Sequence, residues 1–345
     1  MAPVRIVDYF SLEDTFCANR SETLFCSPAW VRTLHKTYGF NCYAAIDDDR
    51  DIYIPLVLVD NLMGKKCVSL PFSDYTDIDT DSPEKYASIL SAIKNEFPNI
   101  PITFKTIGNS GTVDNELWGE AIRTAYYHRI DTRDISAVKG MQSSSFKRNV
   151  KKAKKNGISV TIKKDSTALS AFYRLYCHLR LNKFNSIPQP FVFFENVFDA
   201  FIAKDNGFLI EAVVEEKVIA SCIILAHKNI LYYKFGASDE AHLDLRPNNL
   251  LFDELIRHAC EKGFQAVDLG LSGTGDSYKG LVRFKESMGG VAHNIVYYQK
   301  DATATASKNE ALGQWLGSLT NEIVSAKPDT ETLSRYSQLI YPLFA

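Results

Sequence analysis

Tyr232-Tyr233-Lys234-Phe235-Gly236, Arg246-Pro247-Asn248-Asn249, Val267-Asp268-Leu269-Gly270 and Val282-Arg283-Phe284-Lys285-Glu286-Ser287-Met288-Gly289-Gly290 are the landmarks of the stretch Leu231 to Gly290, whose reading decides the fold. It reads as strand, helix, strand and short helix, ended by a Gly-Gly stop. Pro247 stands where a helix tolerates proline, at its first turn, and Gly263 closes that helix.

Working outward, Ile158 to Ile162 reads as a strand, and Ala168 to Leu181 and Phe191 to Ala203 read as helices. Phe208 to Val214, Val218 to Ala226 and Ile230 to Phe235 form a three-strand meander, and Ala292 to Tyr298 is the last strand. The first half has a similar order. A strand at Val4 to Val7 and a helix at Pro28 to Tyr38 precede two apolar runs, Asn41 to Ile46 and Ile52 to Val59, around the acidic turn Asp47 to Asp51. A strand at Cys67 to Leu70, a polar loop at Pro71 to Asp81, a helix at Pro83 to Phe97 and a strand at Ile102 to Ile107 follow.

The two halves match at a nearly constant offset. Gly39-Phe40 recurs as Gly207-Phe208, Pro83 as Pro247, and Ile102 to Lys105 as Ala266 to Leu269, with the offset drifting only from 168 to 164 residues. The expectation is α/β (α+β) architecture in two similar domains, each a mixed, mostly antiparallel sheet flanked by helices. The expected boundaries are 1–135, with Tyr126 to Ile130 as its closing strand, a basic linker helix over 136–157, a second domain over 158–305 and a helical tail over 306–345.

A chain of 345 residues, 46% hydrophobic and 23% charged, has the material for about two packed cores. No apolar run reaches the length of a membrane span, and no signal leader is read at the start, so the expected location is the cytoplasm. The seven cysteines form no Cys-x-x-Cys pair and the seven histidines show no ligand spacing, so neither a disulfide framework nor a metal site is expected. A net charge of −2 excludes a generally basic DNA-binding chain. It conceals one segment, Ser143 to Asn156, with Lys147, Arg148, Lys151, Lys152, Lys154 and Lys155 and no acid. Phe146, Val150 and Ala153 give that helix one apolar stripe, Ser143 or Ser144 caps it, and Asn156-Gly157 stops it.

Strand, two helices, three-strand meander, helix, strand, helix and strand is an order that resembles a GNAT-type acyltransferase domain. Two in tandem resemble the FemABX family, whose linker helix is similar to Ser145 through Gly157 and whose Phe-Lys-x-x-x-Gly-Gly ending is similar to Phe284 through Gly290. The chain departs from that pattern in having no long charged hairpin within the second domain, and in Met288, where an aromatic residue is common. The resemblance implies acyl or aminoacyl transfer onto an amine of a cell-envelope or polysaccharide precursor. The donor would be an aminoacyl-tRNA or an acyl-CoA, and no tightly bound cofactor is expected. The alternatives are an acyl-CoA-dependent N-acetyltransferase and a degenerate domain pair that only binds an anionic partner.

Such chemistry requires a positioned amine, a path for its proton and a donor for the oxyanion. The motif match points to Lys285 for the oxyanion, with a solvated helix lysine as the structural alternative, and Asp74 is a candidate proton acceptor or a turn-forming aspartate. Tyr232 and Tyr233 point to opposite faces of a strand that lines the donor cleft in GNAT-like sheets, so one of them reaches the cleft or both pack the core. Arg246 and Asn249 sit at a helix N-terminus that suits a donor phosphate, or simply cap it, and Arg283 is a phosphate or ion-pair partner. Arg148, Lys151 and Arg180 are candidates for the acceptor or another anion. The segment Asp239 to Asn249 contains no glycine, whereas acetyl-CoA enzymes of the superfamily carry a Gly-rich loop there. Gly270 to Gly275 comes one strand later and reads as a flexible rim.

Overall fold

The computed structural model describes residues 3–47, 52–76, 78, 83–108, 119–300 and 306–345. Most of the acidic turn after Asp47, and residues 77 and 79–82 of the polar loop, lie outside the described residues. The chain divides into two compact units. Unit 1 comprises Met1–Ala125, His293–Leu319 and Gln338–Ala345, and unit 2 comprises Tyr126–Ala292 and Thr320–Ser337.

Unit 1 begins with β1 (Arg5–Asp8), α1 (Asp14–Arg20), α2 (Pro28–Tyr38), β2 (Asn41–Ile46), β3 (Tyr53–Asn61), β4 (Gly64–Val68), α3 (Pro83–Glu96) and β5 (Ile102–Ile107). Helix α2 shows why the sequence breaks where it does. Ser27 Oγ accepts a hydrogen bond from Trp30 N, Pro28 occupies the first turn, and Gly39 ends the helix at φ +69°. Strand β6 (Glu120–Asp131) leads into unit 2, which holds α4 (Ile135–Met141), α5 (Ser144–Lys155), β7 (Ser159–Lys163), α6 (Ser166–Asn182) and α7 (Phe191–Ala200). The meander β8 (Gly207–Val214), β9 (Lys217–His227) and β10 (Ile230–Ser238) follows, then α8 (Pro247–Glu261), β11 (Ala266–Gly273) and α9 (Lys279–Ser287). Strand β12 (Val291–Lys300) and helices α10 (Ala306–Ala326) and α11 (Thr330–Ile340) complete the chain.

The duplication expected from the offset is present in the topology. In unit 1 the strand order is β1-β2-β3-β4-β5-β12, and in unit 2 it is β7-β8-β9-β10-β11 with β6 beside β11. The fourth and fifth strands of each unit, β4 with β5 and β10 with β11, run parallel, and the meander pairs are antiparallel.

The boundaries differ from the expected ones in two ways. The residues expected to close the first domain, Tyr126 to Ile130, belong to unit 2, while β12, expected as the last strand of the second domain, pairs antiparallel with β5 from Ile295↔Ile107 to Lys300↔Ile102. Val296 and Tyr298 of β12 are buried with Phe104 in the unit 1 core. The basic segment is also no free linker. Phe146, Val150 and Ala153 of α5 join Leu251, Leu255, Val267 and Leu269 in the unit 2 core. Ser143 Oγ caps α5 by accepting from Phe146 N at 3.1 Å.

A buried carboxyl stands in a short polar row across the sheet of unit 2. Glu211 of β8 lies in register between Thr161 of β7 and Ser221 of β9 and is only 4% exposed. Burial pushes its carboxyl above the ordinary value, with Lys163 pulling weakly the other way. The folded chain therefore keeps this proton to a higher pH than the unfolded chain does. Its contribution to stability is fully present below the unfolded value and is lost as pH rises through the folded one. Glu211→Gln should leave the urea midpoint unchanged at acidic pH and raise it progressively towards neutral pH; equal midpoints throughout would contradict this.

Candidate functional site

The site begins where a ladder stops. Strands β10 and β11 pair at Ile230↔Ala266, Leu231↔Val267 and Tyr232↔Asp268 and no further, although β10 runs on to Ser238 and β11 to Gly273. Beyond Tyr232, β10 stays paired with β9, with a register shift between Tyr233 and Phe235. An extra residue in a strand bends it and turns its side chains. On the other arm, Gly270 takes φ +71°, and its N–H donates to Asp268 Oδ1 at 2.8 Å. The two strands thus part into a fork.

A cavity of about 270 Å³ occupies the fork. Its apolar wall includes Tyr233, Phe252, Leu269, Phe284 and Met288, and its polar lining includes Ser238, Asn248, Glu240 and Lys183. Ser238 Oγ donates to Asn248 Oδ1 at 2.8 Å, which fixes the hydroxyl beside the first turn of α8. Tyr233 reaches the cavity because Gly236 has no side chain, since a Cβ there would lie 2.4 Å from the Tyr233 hydroxyl. Burial pushes the Tyr233 phenol well above its ordinary value, so at neutral pH it is a proton donor. Tyr232, 2% exposed, is buried and does not line this cavity.

Lys285 lines the cavity and is 3% exposed. Its ammonium donates to Gly270 O at 2.7 Å, Leu271 O at 3.1 Å and Ser272 Oγ at 2.8 Å. In this arrangement it ties α9 to the free arm of β11. The Gly-Gly ending secures the lysine's own backbone. Gly289 turns the chain at φ +95°, Gly290 N donates to Lys285 O at 3.1 Å, and a Cβ on Gly290 would approach that oxygen to 2.8 Å. Gly270 to Gly273, expected as part of a flexible rim, is the end of β11 and supplies the acceptors for Lys285.

The other sequence candidates are distributed differently. Arg246, at φ +67°, is the exposed N-cap of α8, and Asn249 is buried behind it; their neighbour Asn248 is the one that lines the cavity. Arg283 is exposed on α9 away from the lining, and Arg148 and Lys151 are exposed on α5. Arg180 donates from Nε and Nη2 to Ile187 O at 3.3 and 3.2 Å, which folds back the loop whose Lys183 and Phe184 line the cavity. Asp74 belongs to unit 1 and is half-buried. Asp268, at the fork itself, went unassigned in the sequence. It is 1% exposed, and Arg129 approaches it to 3.8 Å while lying over the Tyr127 ring. An aspartate in an apolar strand pattern was the available signal.

The corresponding place in unit 1 is filled by chain. The β4–β5 ladder covers Cys67↔Ile102 and Val68↔Thr103, after which Ser69 N donates to Thr103 O and Lys105 N to Ser69 Oγ, each at 2.9 Å. Thr76 bridges to Thr106, and Lys105 Nζ donates to Leu70 O at 3.0 Å and Ser73 O at 3.2 Å. Leu70 and Phe72 adopt φ of +64° and +57° to make this return.

Removing the Lys285 ammonium leaves buried acceptors on β11 without their donor. Lys285→Met should therefore lower the unfolding free energy by about 3 kcal/mol, read by urea titration; an unchanged midpoint would mean that the lysine does not hold β11.

Comparison with known proteins agrees with this geometry. The acetyltransferase (GNAT) domain family matches residues 141–285, all within unit 2. No curated protein sequence matches the chain. Among solved structures, FemX superposes with a TM-score of 0.63 at 14% identity, covering 84% of this chain and 95% of FemX. L-PGS from Bacillus licheniformis gives 0.55 at 12% identity, covering 83% of this chain and 91% of that one. A tandem GNAT protein from the clavulanic acid biosynthesis pathway gives 0.52 at 10% identity, covering 87% and 99%. Residues 141–285 thus match the acetyltransferase (GNAT) domain family, and the chain as a whole shares the fold of FemX and of a tandem GNAT protein.

Proposed function

We propose that unit 2 transfers an aminoacyl or other acyl group, seated in the fork between β10 and β11, onto an amine of a cell-envelope or polysaccharide precursor. The observation that carries this reading is the open fork of unit 2, with its cavity of about 270 Å³, set against the filled fork of unit 1. In the reaction the amine nitrogen attacks the donor carbonyl carbon, an amide C–N bond forms, and the C–O bond of an ester or the C–S bond of a thioester breaks. The amine gives up a proton and the departing oxygen or sulfur gains one. The Tyr233 phenol, which burial makes harder to ionise, is the cavity group suited to hydrogen-bond the oxyanion. Lys285 acts as a positioning residue that keeps Gly270 to Ser272 in place. FemX and L-PGS, which share the fold, support the aminoacyl and envelope side of the reading.

The segment before α8 favours an aminoacyl ester over acyl-CoA. It forms a 3-10 turn over Glu240–Leu245 bearing Glu240 and Asp244, with Asp239 as its cap, and Glu240 lines the cavity. Glu240 pairs with Lys183 at 3.6 Å and Asp239 with Lys217 at 2.8 Å, and the segment Asp239 to Asn249, without glycine, offers a pyrophosphate no glycine-rich backbone cradle.

Turnover of radiolabelled aminoacyl-tRNAs and of acetyl-CoA with a panel of amine-bearing saccharide and peptide precursors tests the proposal. Aminoacyl transfer is expected, with Tyr233→Phe lowering kcat about 100-fold and KM little changed. Transfer from acetyl-CoA alone would overturn the donor class, and full activity in Tyr233→Phe would overturn the role of the phenol.

A further inference from the structure

The cations of α5 have no part in the fork, and their placement calls for a partner. At 3.6 residues per turn the buried Phe146, Val150 and Ala153 define one side of the helix, and Lys147, Arg148, Lys151, Lys152 and Lys155 fall within an arc of about 140° centred opposite them. All five are exposed, and among the described residues none forms an ion pair. Lys154, at the flank, does pair, with Glu254 at 3.4 Å. The result is five cations in about 18 Å of helix with no acid among them.

Exposed apolar side chains stand at the N-terminal end of this array. Met141 is 57% exposed and Val291 49%. They lie close to the same junction, where Ser143 N donates to Ser287 O at 3.0 Å and Met141 packs beside Gly289. We infer that α5 is an electrostatic docking face for an anionic lipid bilayer, with Met141 and Val291 as its apolar contact. A basic helix face flanked by aliphatic side chains has the chemistry of the headgroup region, where each Lys or Arg contributes about 1 kcal/mol. Single-stranded RNA would call for exposed aromatic rings, and the one aromatic ring of α5, Phe146, is buried, while a duplex RNA would leave the exposed Met141 and Val291 without a role. The inference is independent of which acyl donor unit 2 uses.

Sedimentation with vesicles separates the possibilities, comparing pure phosphatidylcholine with phosphatidylcholine containing about one-third phosphatidylglycerol. The full chain should sediment only with the anionic vesicles and be released as salt rises well above about 0.15 M. Combined Lys147→Gln, Lys151→Gln and Lys155→Gln should weaken partitioning about 100-fold, at roughly fivefold per charge, with circular dichroism unchanged. Met141→Ser should weaken it further and leave the salt dependence intact. Equal binding to both vesicle types, unaltered binding by the triple variant, or retention of tRNA on filters without vesicle sedimentation would overturn the inference.

Discussion

A single interrupted ladder organises unit 2. Parallel pairing of β10 with β11 lasts three residue pairs and ends at Tyr232↔Asp268. From there the ladder gives way to a cavity between the two strands, which is how a sheet makes a binding site without an added domain. Three local devices hold the arms apart. The bulge after Tyr233 turns β10 towards β9, the positive φ of Gly270 turns β11, and the Lys285 ammonium fastens that arm to α9. A buried lysine is costly unless its protons find acceptors, and two carbonyls and a hydroxyl supply them here.

The same strand order in unit 1 gives the opposite outcome. Its fourth and fifth strands also begin a parallel ladder, yet Ser69 to Thr76 returns along β5 and Lys105 closes the return. One topology therefore yields an open fork in one unit and a filled one in the other, and the difference lies in the segment after the fourth strand. In unit 2 that segment continues β10 through Ala237 and Ser238 against β9. Whether the fork is open or filled is thus set by local chain path more than by fold.

Much of this was legible in the residues. Periodicity and Pro/Gly punctuation placed the meander, α8 and α9 within a few residues, and the constant offset exposed the duplication. That Tyr232 and Tyr233 take opposite faces, and that α5 packs one stripe, followed from alternation and spacing; which tyrosine meets the cavity did not, and the Gly-Gly ending stood out through the family resemblance. Strand exchange at the unit boundaries was not legible. Alternation of Val296 and Tyr298 says that β12 has a buried face, and nothing in it says that β5 is its neighbour. Nor do local patterns reveal hydrogen-bond partners distant in sequence. The motif drew attention to Lys285 as an oxyanion donor, and only the coordinates of Gly270, Leu271 and Ser272 identify what its ammonium holds.

The central claim is that the acyl group sits in the fork of unit 2. The most direct measurement is a crystal structure of the chain with a non-hydrolysable aminoacyl-adenosine amide. The account predicts density for the aminoacyl group between the separated arms of β10 and β11, bounded by Tyr233, Leu269 and Met288. Density at another place on the chain, with the fork empty at saturating ligand, would contradict it.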